Sequence, residues 1–142
     1  MSNGAYDWLN VRKHQLWNSC TDGDAIKTEY DPCPDGWRVP DSEELRSLIE
    51  KRSSWTTNEE GQEGMYFYGK QSSYDSTKKI FFPGAGERSH LGTGQFTAKS
   101  GKYWTSSVLR DYSYYLNYMD GYVSVVAFGY RAERKSVRYV QE

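Results

Sequence analysis

Residues 103–140 decide how this chain is read. They run Tyr103-Trp-Thr-Ser-Ser107, then Tyr112-Ser-Tyr-Tyr-Leu-Asn-Tyr118, then Asp120-Gly-Tyr122, a run from Val123 to Arg131, and Ser136-Val-Arg-Tyr-Val140 at the end. Seven of the thirteen tyrosines lie between Tyr103 and Tyr130. Aromatic and β-branched residues suit strands, but a tyrosine also carries a hydroxyl that demands a partner when buried. Rigid rings dispersed among Ser, Asn, Asp, Arg and Gly form the composition of a recognition surface. For any single tyrosine here, packing in a strand or core is an equally good reading.

Strand alternation sorts these rings by side. Tyr114, Leu116 and Tyr118 share one side, with Leu116 marking the interior; Tyr115, Asn117 and Met119 share the other. Farther on, Ser124, Val126, Phe128 and Tyr130 have one parity, and Val125, Ala127 and Gly129 the other. The bulkier set, containing Phe128 and Tyr130, is expected to be the contact face. Arg110, Asp111, Tyr112, Tyr115, Asn117, Asp120, Tyr122 and Arg131 join it as candidate ligand-binding residues. Arg110, Arg131 and Asp120 would set a ligand's orientation at the rim through charge-assisted hydrogen bonds.

Working outward, Asp31-Pro-Cys-Pro-Asp-Gly-Trp-Arg-Val-Pro40 is a turn followed by an extended segment. Asp41 N-caps a helix predicted near 42–52, with Glu44 completing a capping-box pair and Leu45, Leu48 and Ile49 forming its apolar stripe. Ser53-Ser54 ends it. Residues 55–79 read as a polar surface excursion around a strand at Met65-Tyr-Phe-Tyr68. Ile80-Phe-Phe is a strand entering a glycine turn at 83–86, and Ser89–Lys102 reads as loop. The first thirty residues read as loops with one or two brief strands.

The 142 residues fit a single domain spanning 1–142, with enough chain for a core. A net charge of −1 argues against an electrostatic nucleic-acid partner. No run of about 18 apolar residues is present, so direct membrane insertion is not expected. The chain is either cytosolic or a domain cut from a longer exported protein. Cys20 and Cys33 would close a short loop if oxidised, worth about 3 kcal/mol in the chain-entropy model; reduced thiols are the alternative. With His14 and His90 they lack the paired short spacings of a zinc site.

Tests for chemistry fail one by one. Glu43-Glu44 and Glu59-Glu60 are adjacent pairs of the kind found on solvated surfaces, not carboxylates set across a cleft. Ser89-His90 has no third group placed by a motif, and Gly84-Ala-Gly86 lacks the third glycine of a dinucleotide loop. The chain therefore reads as a non-enzyme, with no catalytic residue, metal or cofactor expected.

Leu16-Trp-Asn18, the Asp31–Pro40 run, Phe82-Pro-Gly-Ala-Gly86, Tyr103-Trp-Thr-Ser-Ser107, Tyr114-Tyr-Leu116 and Ser136–Val140 together resemble the Fibrobacter succinogenes major paralogous domain. That family occurs in exported surface proteins of gut-type bacteria, and the likeness runs from about Asp7 to Gln141. It implies an α+β, C-type-lectin-like fold with twisted antiparallel strands and extensive loops. Related proteins are receptor-binding variable proteins of diversity-generating retroelements, and 108–134 lies where their variable region would fall. The implied function is ligand binding at a cell surface, a pilus tip or a phage particle, with a protein or glycan as partner. The alternatives are a structural or assembly module and, behind both, a glycan-processing enzyme. The oligomeric state is left open.

Two departures refine the resemblance. The family usually closes Ser-Val-Arg-Cys-Val, with that cysteine suited to pair with the Pro-rich turn. Tyr139 stands there instead, so in an exported setting Cys20 becomes the expected partner of Cys33. The Glu-Pro-Asn and Trp-Asn-Asp motifs of calcium-dependent lectins are missing, so binding is expected to be calcium-independent.

Overall fold

The computed structural model describes residues 7, 9, 11, 13–21, 24–49, 52–68, 78–88 and 99–142, with the side chains of Ser19, Cys20, Thr21, Asp24, Ala25, Ile49 and Val126 outside the described set. In chain order the elements are β1 (Asn18–Thr21), β2 (Asp24–Lys27), β3 (Trp37–Arg38), α1 (Ser42–Ile49), β4 (Ser53–Thr57), β5 (Glu63–Tyr68), β6 (Lys79–Pro83), β7 (Ser100–Leu109), β8 (Tyr112–Met119), β9 (Tyr122–Tyr130) and β10 (Val140–Gln141). Among the described residues the protein is thus mostly antiparallel strand with one short helix. Two three-stranded meanders, β4-β5-β6 and β7-β8-β9, carry the mass; β1-β2 and β3-β10 are small pairs beside them.

The core lies between the two meanders under α1. Leu45 comes from the helix, Met65, Phe67 and Phe82 from one sheet, and Tyr103, Leu116, Tyr118 and Val125 from the other. Edge-to-face rings hold it together: Phe67–Phe82 at 5.3 Å, Phe67–Tyr118 at 5.7 Å and Phe82–Tyr103 at 5.0 Å between centroids. The two buried phenols find one shared acceptor, the Pro83 carbonyl, with Tyr118 Oη donating at 2.7 Å and Tyr103 Oη at 3.2 Å. Gly101 is required opposite Tyr118, because a Cβ there would stand 1.8 Å from the ring.

The Pro-rich turn is fixed by three polar side chains. Asp31 accepts from the amides of Cys33 (2.8 Å) and Val39 (2.9 Å). Lys27 Nζ donates to the carbonyls of Cys33, Pro34 and Trp37 at 2.6–2.7 Å. Asn18 Nδ2 donates to Val39 O at 2.7 Å. The helix then starts on the expected box: Glu44 N donates to Asp41 Oδ1 (2.8 Å) and Asp41 N to Glu44 Oε2 (2.9 Å). Arg38 adds a bidentate pair to Glu44, both bonds 2.7 Å.

Several expectations need correction. The helix is described over Ser42–Ile49 and does not include Arg52; residues 50 and 51 lie outside the described set. Ser53–Thr57 is a strand paired to β5, and Trp55 packs against the core, so this stretch is part of the sheet and not a surface excursion. Ser100–Lys102 begins β7; the rest of the expected loop, 89–98, including His90, lies outside the described residues. Cys33 is a free, buried thiol, so the bridge to Cys20 is not formed. Burial and the Asp31 carboxylate push that thiol up to about 12, which keeps it protonated. Tyr139 contributes packing instead of a bridge, its ring edge-on to Trp37 at 5.1 Å beside the β3-β10 pair.

Candidate functional site

The Tyr103-Trp-Thr-Ser-Ser107 piece owes its small polar residues to a bulge. Trp104 pairs with Tyr115 and Val108 with Ser113, leaving Thr105–Ser107 outside the ladder. Their backbone and hydroxyl groups are used elsewhere. Thr105 Oγ1 donates to Tyr114 O (3.0 Å), Ser106 N to Pro40 O (2.8 Å), and Ser107 Oγ accepts from Ser42 N (2.9 Å). The motif thereby ties β7 to the Pro-rich turn and the start of α1.

A second irregularity lies on β9, where the ladder skips a residue between Tyr115↔Ala127 and Asn117↔Ser124. One extra residue reverses the alternation. Val123 and Val125 therefore point inward with Tyr118 and Leu116, while Phe128 and Tyr130 lie on that same side, opposite Tyr114 and Tyr112. The expected single parity from Ser124 to Tyr130 is overturned. Ser124 lies on the other side, and the side chain of Val126 is outside the described residues.

The candidate residues fall into separate groups. At the β7-β8 end, Tyr112, Phe128 and Tyr130 form an aromatic cluster, with Tyr112 5.5 Å from Phe128 and 5.1 Å from Tyr130. Phe128 is 53% exposed, and exposed Leu109 lies across from Tyr112. Beside them a cavity of about 260 Å³ opens between α1 and the sheet, lined by Ser42, Glu43, Arg46, Tyr114, Val125 and Phe128. Arg110 and Asp111 make the adjoining turn, Arg110 with φ +52°. Asp120 and Tyr122 sit at the opposite hairpin tip, one strand length away, about 25 Å for eight residues.

Tyr115, Asn117 and Ser124 occupy the reverse face of the sheet. There Tyr115 is covered, not presented: Lys135 Nζ stands 4.4 Å from the ring centroids of both Tyr115 and Trp104. The Lys135 side chain has no exposed surface and pairs with Glu87 (2.8 Å) and with Glu133. Lys102 also pairs with Glu87. Burial raises the Glu87 carboxyl, but hydrogen bonds and charge from Lys102 and Lys135 outweigh it and leave the group below its ordinary value. Burial, then the charges of Glu87 and Glu133, push the Tyr115 phenol up to about 12. Gly129 makes room for this cluster, since a Cβ would meet Glu133 Oε2 at 2.4 Å.

Arg131 is no rim residue either. Its Nη1 donates to Lys13 O (3.1 Å), and its Nη2 to Arg110 O (2.6 Å) and His14 Nδ1 (3.0 Å), tying the end of β9 to the N-terminal segment. Glu43 and Arg46, on the wall of the small cavity, were missed by the sequence reading. Their only signal is position on the outward side of the first helical turns.

Comparison of the chain with protein-family models, curated proteins and solved structures found no match. Among the described residues no group of three or more His, Cys, Asp or Glu is placed to hold a metal ion, and no helix is long and apolar enough to cross a membrane.

Proposed function

We propose that this is a non-catalytic ligand-binding domain of C-type-lectin-like fold, displayed on a bacterial surface, pilus or phage particle. It recognises a protein or glycan with the Tyr112–Phe128–Tyr130 cluster and the neighbouring cavity under α1. The observation that carries the reading is the exposure of Phe128 within a ring cluster that the domain's own core does not use. Apolar surface left open beside placed polar groups is the usual mark of an interaction site. Diversification of 108–134 by a retroelement is part of this proposal. Phe128 and Tyr112 can vary without disturbing Leu116, Tyr118 and Val125 farther along the same face.

The test is a glycan and cell-binding array probed with the parent domain, Tyr112→Ala, Phe128→Ala and Tyr130→Ala. Loss of binding by the variants is expected; equal binding by all of them places recognition elsewhere. An assembly role is the second reading, favoured by the exposed Trp37–Tyr139 pair beside the C-terminal strand. A domain that binds nothing on the array, but stays attached to its neighbours only while Trp37 and Tyr139 are intact, would be an assembly module.

A further inference from the structure

A larger cavity, about 410 Å³, lies on the reverse side of the sheet, between the N-terminal segment and the chain that follows β9. Its volume is that of a small-molecule pocket. Leu16, Trp17, Pro32, Trp104, Val108 and Val137 give it apolar walls.

The charges in its lining divide into two kinds. Asp7 with Arg131, and Glu133 with Lys135, are ion pairs drawn into the protein. The side chains of Asp7, Arg131 and Glu133 keep 7%, 12% and 18% of their surface, and Lys135 keeps none. Arg131 is further engaged by Lys13 O, Arg110 O and His14 Nδ1, and Lys135 by Glu87. Lys13, His14 and Arg134 differ in being exposed. No further acid among the described lining residues balances Lys13 and Arg134, so the open edge of the cavity is positive. Lys13 Nζ rests 4.9 Å from the centroid of the exposed Tyr30 ring. Such a contact is weak in water and leaves the ammonium able to turn to an anion. His14 Nδ1 accepts from Arg131 Nη2 at 3.0 Å, so the ring's own proton sits on Nε2, a second donor.

We propose that this cavity binds a small organic anion, a monocarboxylate with a compact apolar body. The hydrocarbon or aromatic part lies between Trp17, Trp104, Val108 and Val137. The carboxylate stays at the wet edge, where Lys13 Nζ and His14 Nε2–H donate to it. This division follows from desolvation: a carboxylate drawn inside would lose its water and find only cations that are already paired. A cationic ligand would meet like charge at Lys13 and Arg134. The cavity shares no lining residue with the one at Phe128, so it stands or falls separately from the proposed recognition role.

Four probes separate charge from body by calorimetry on the intact chain: 2-naphthoate, its carboxamide, 2-naphthylmethylamine and acetate. Naphthoate is expected to bind at least about tenfold more tightly than the carboxamide or the amine, the worth of one hydrogen bond to a charged group. Acetate, lacking the body, should not bind measurably. Lys13→Gln, a change at an exposed side chain that leaves the fold intact, should bring naphthoate down to the level of the carboxamide, and Lys13→Arg should restore the preference. Added salt should weaken naphthoate and spare the carboxamide. Val137→Trp should abolish binding of both, and Phe128→Ala should alter neither. Equal affinity for naphthoate and carboxamide would overturn the proposal, as would naphthoate binding indifferent to Lys13→Gln, or binding of no probe at all.

Discussion

Tyr118 and Tyr112 stand on the same strand and the same side of the same sheet, yet meet opposite fates. Tyr118 is fully buried among Phe67, Phe82 and Tyr103, with its hydroxyl bonded to Pro83. Among the described aromatic residues Tyr112 contacts the rings of Phe128 and Tyr130, and it stays partly open. The difference lies in what covers the sheet. The β4-β5-β6 meander roofs the inner end, whereas the outer end extends past α1 into solvent. Residue type alone does not separate a core tyrosine from a presenting one; the reach of the opposing layer does.

The largest effect should come from the inner end. Tyr118→Ala is expected to cost about 3–5 kcal/mol, measured by urea unfolding, since it empties the centre of the ring cluster. Gly101→Val should be comparably harmful, because its side chain and the Tyr118 ring claim the same space. A cost near that of a surface change would mean that the inner rings are not the core.

Next comes the charged cluster on the reverse face. Glu87→Gln leaves the buried Lys135 short of a partner and should cost about 3 kcal/mol. The folded-state carboxyls of Glu87 and Glu44 lie below the ordinary value of 4.5, Glu44 because bonds from Arg38 and Asp41 outweigh its burial. Their contribution is therefore present above about pH 4.5 and lost as pH falls through the lowered values. Acid unfolding of Glu87→Gln should show a shallower pH dependence than the parent.

Alkaline behaviour tests the phenols. Burial raises Tyr103 and Tyr118, and holds Tyr115 up to about 12, so these rings favour folding below their unfolded value of 10.0. That contribution disappears as pH rises through the folded values. Tyr118→Phe should flatten the alkaline limb of the stability profile, at a cost of about 1 kcal/mol at neutral pH for the lost bond to Pro83. The smallest effect belongs to the outer end: Phe128→Ala should change stability by about 0.5 kcal/mol or less.

Much of the inner frame was legible in the sequence. The Asp41–Glu44 box, the strands around Met65–Tyr68 and Ile80–Phe82, and Leu116 as an interior marker all follow from spacing. What escaped was governed by single-residue irregularities. The extra residue on β9 brings Val125 to the inside and sends Ser124 to the reverse face, and no period-two pattern announces it. Arg131 and Tyr115 were read as surface because their residue types suit recognition. Their partners, Asp7, His14 and Lys135, come from distant parts of the chain. Trp55 was hidden among serines and threonines, of which Thr56 and Thr57 are exposed.

Hydroxyl-radical footprinting of the free domain, and of the domain held on cells that capture it, tests the division of this sheet most directly. Phe128 and Tyr112 should be modified in the free protein and protected in the bound one, while Tyr118 and Tyr103 remain unmodified in both. Modification of Phe128 that is indifferent to binding, or ready modification of Tyr118, would contradict the account.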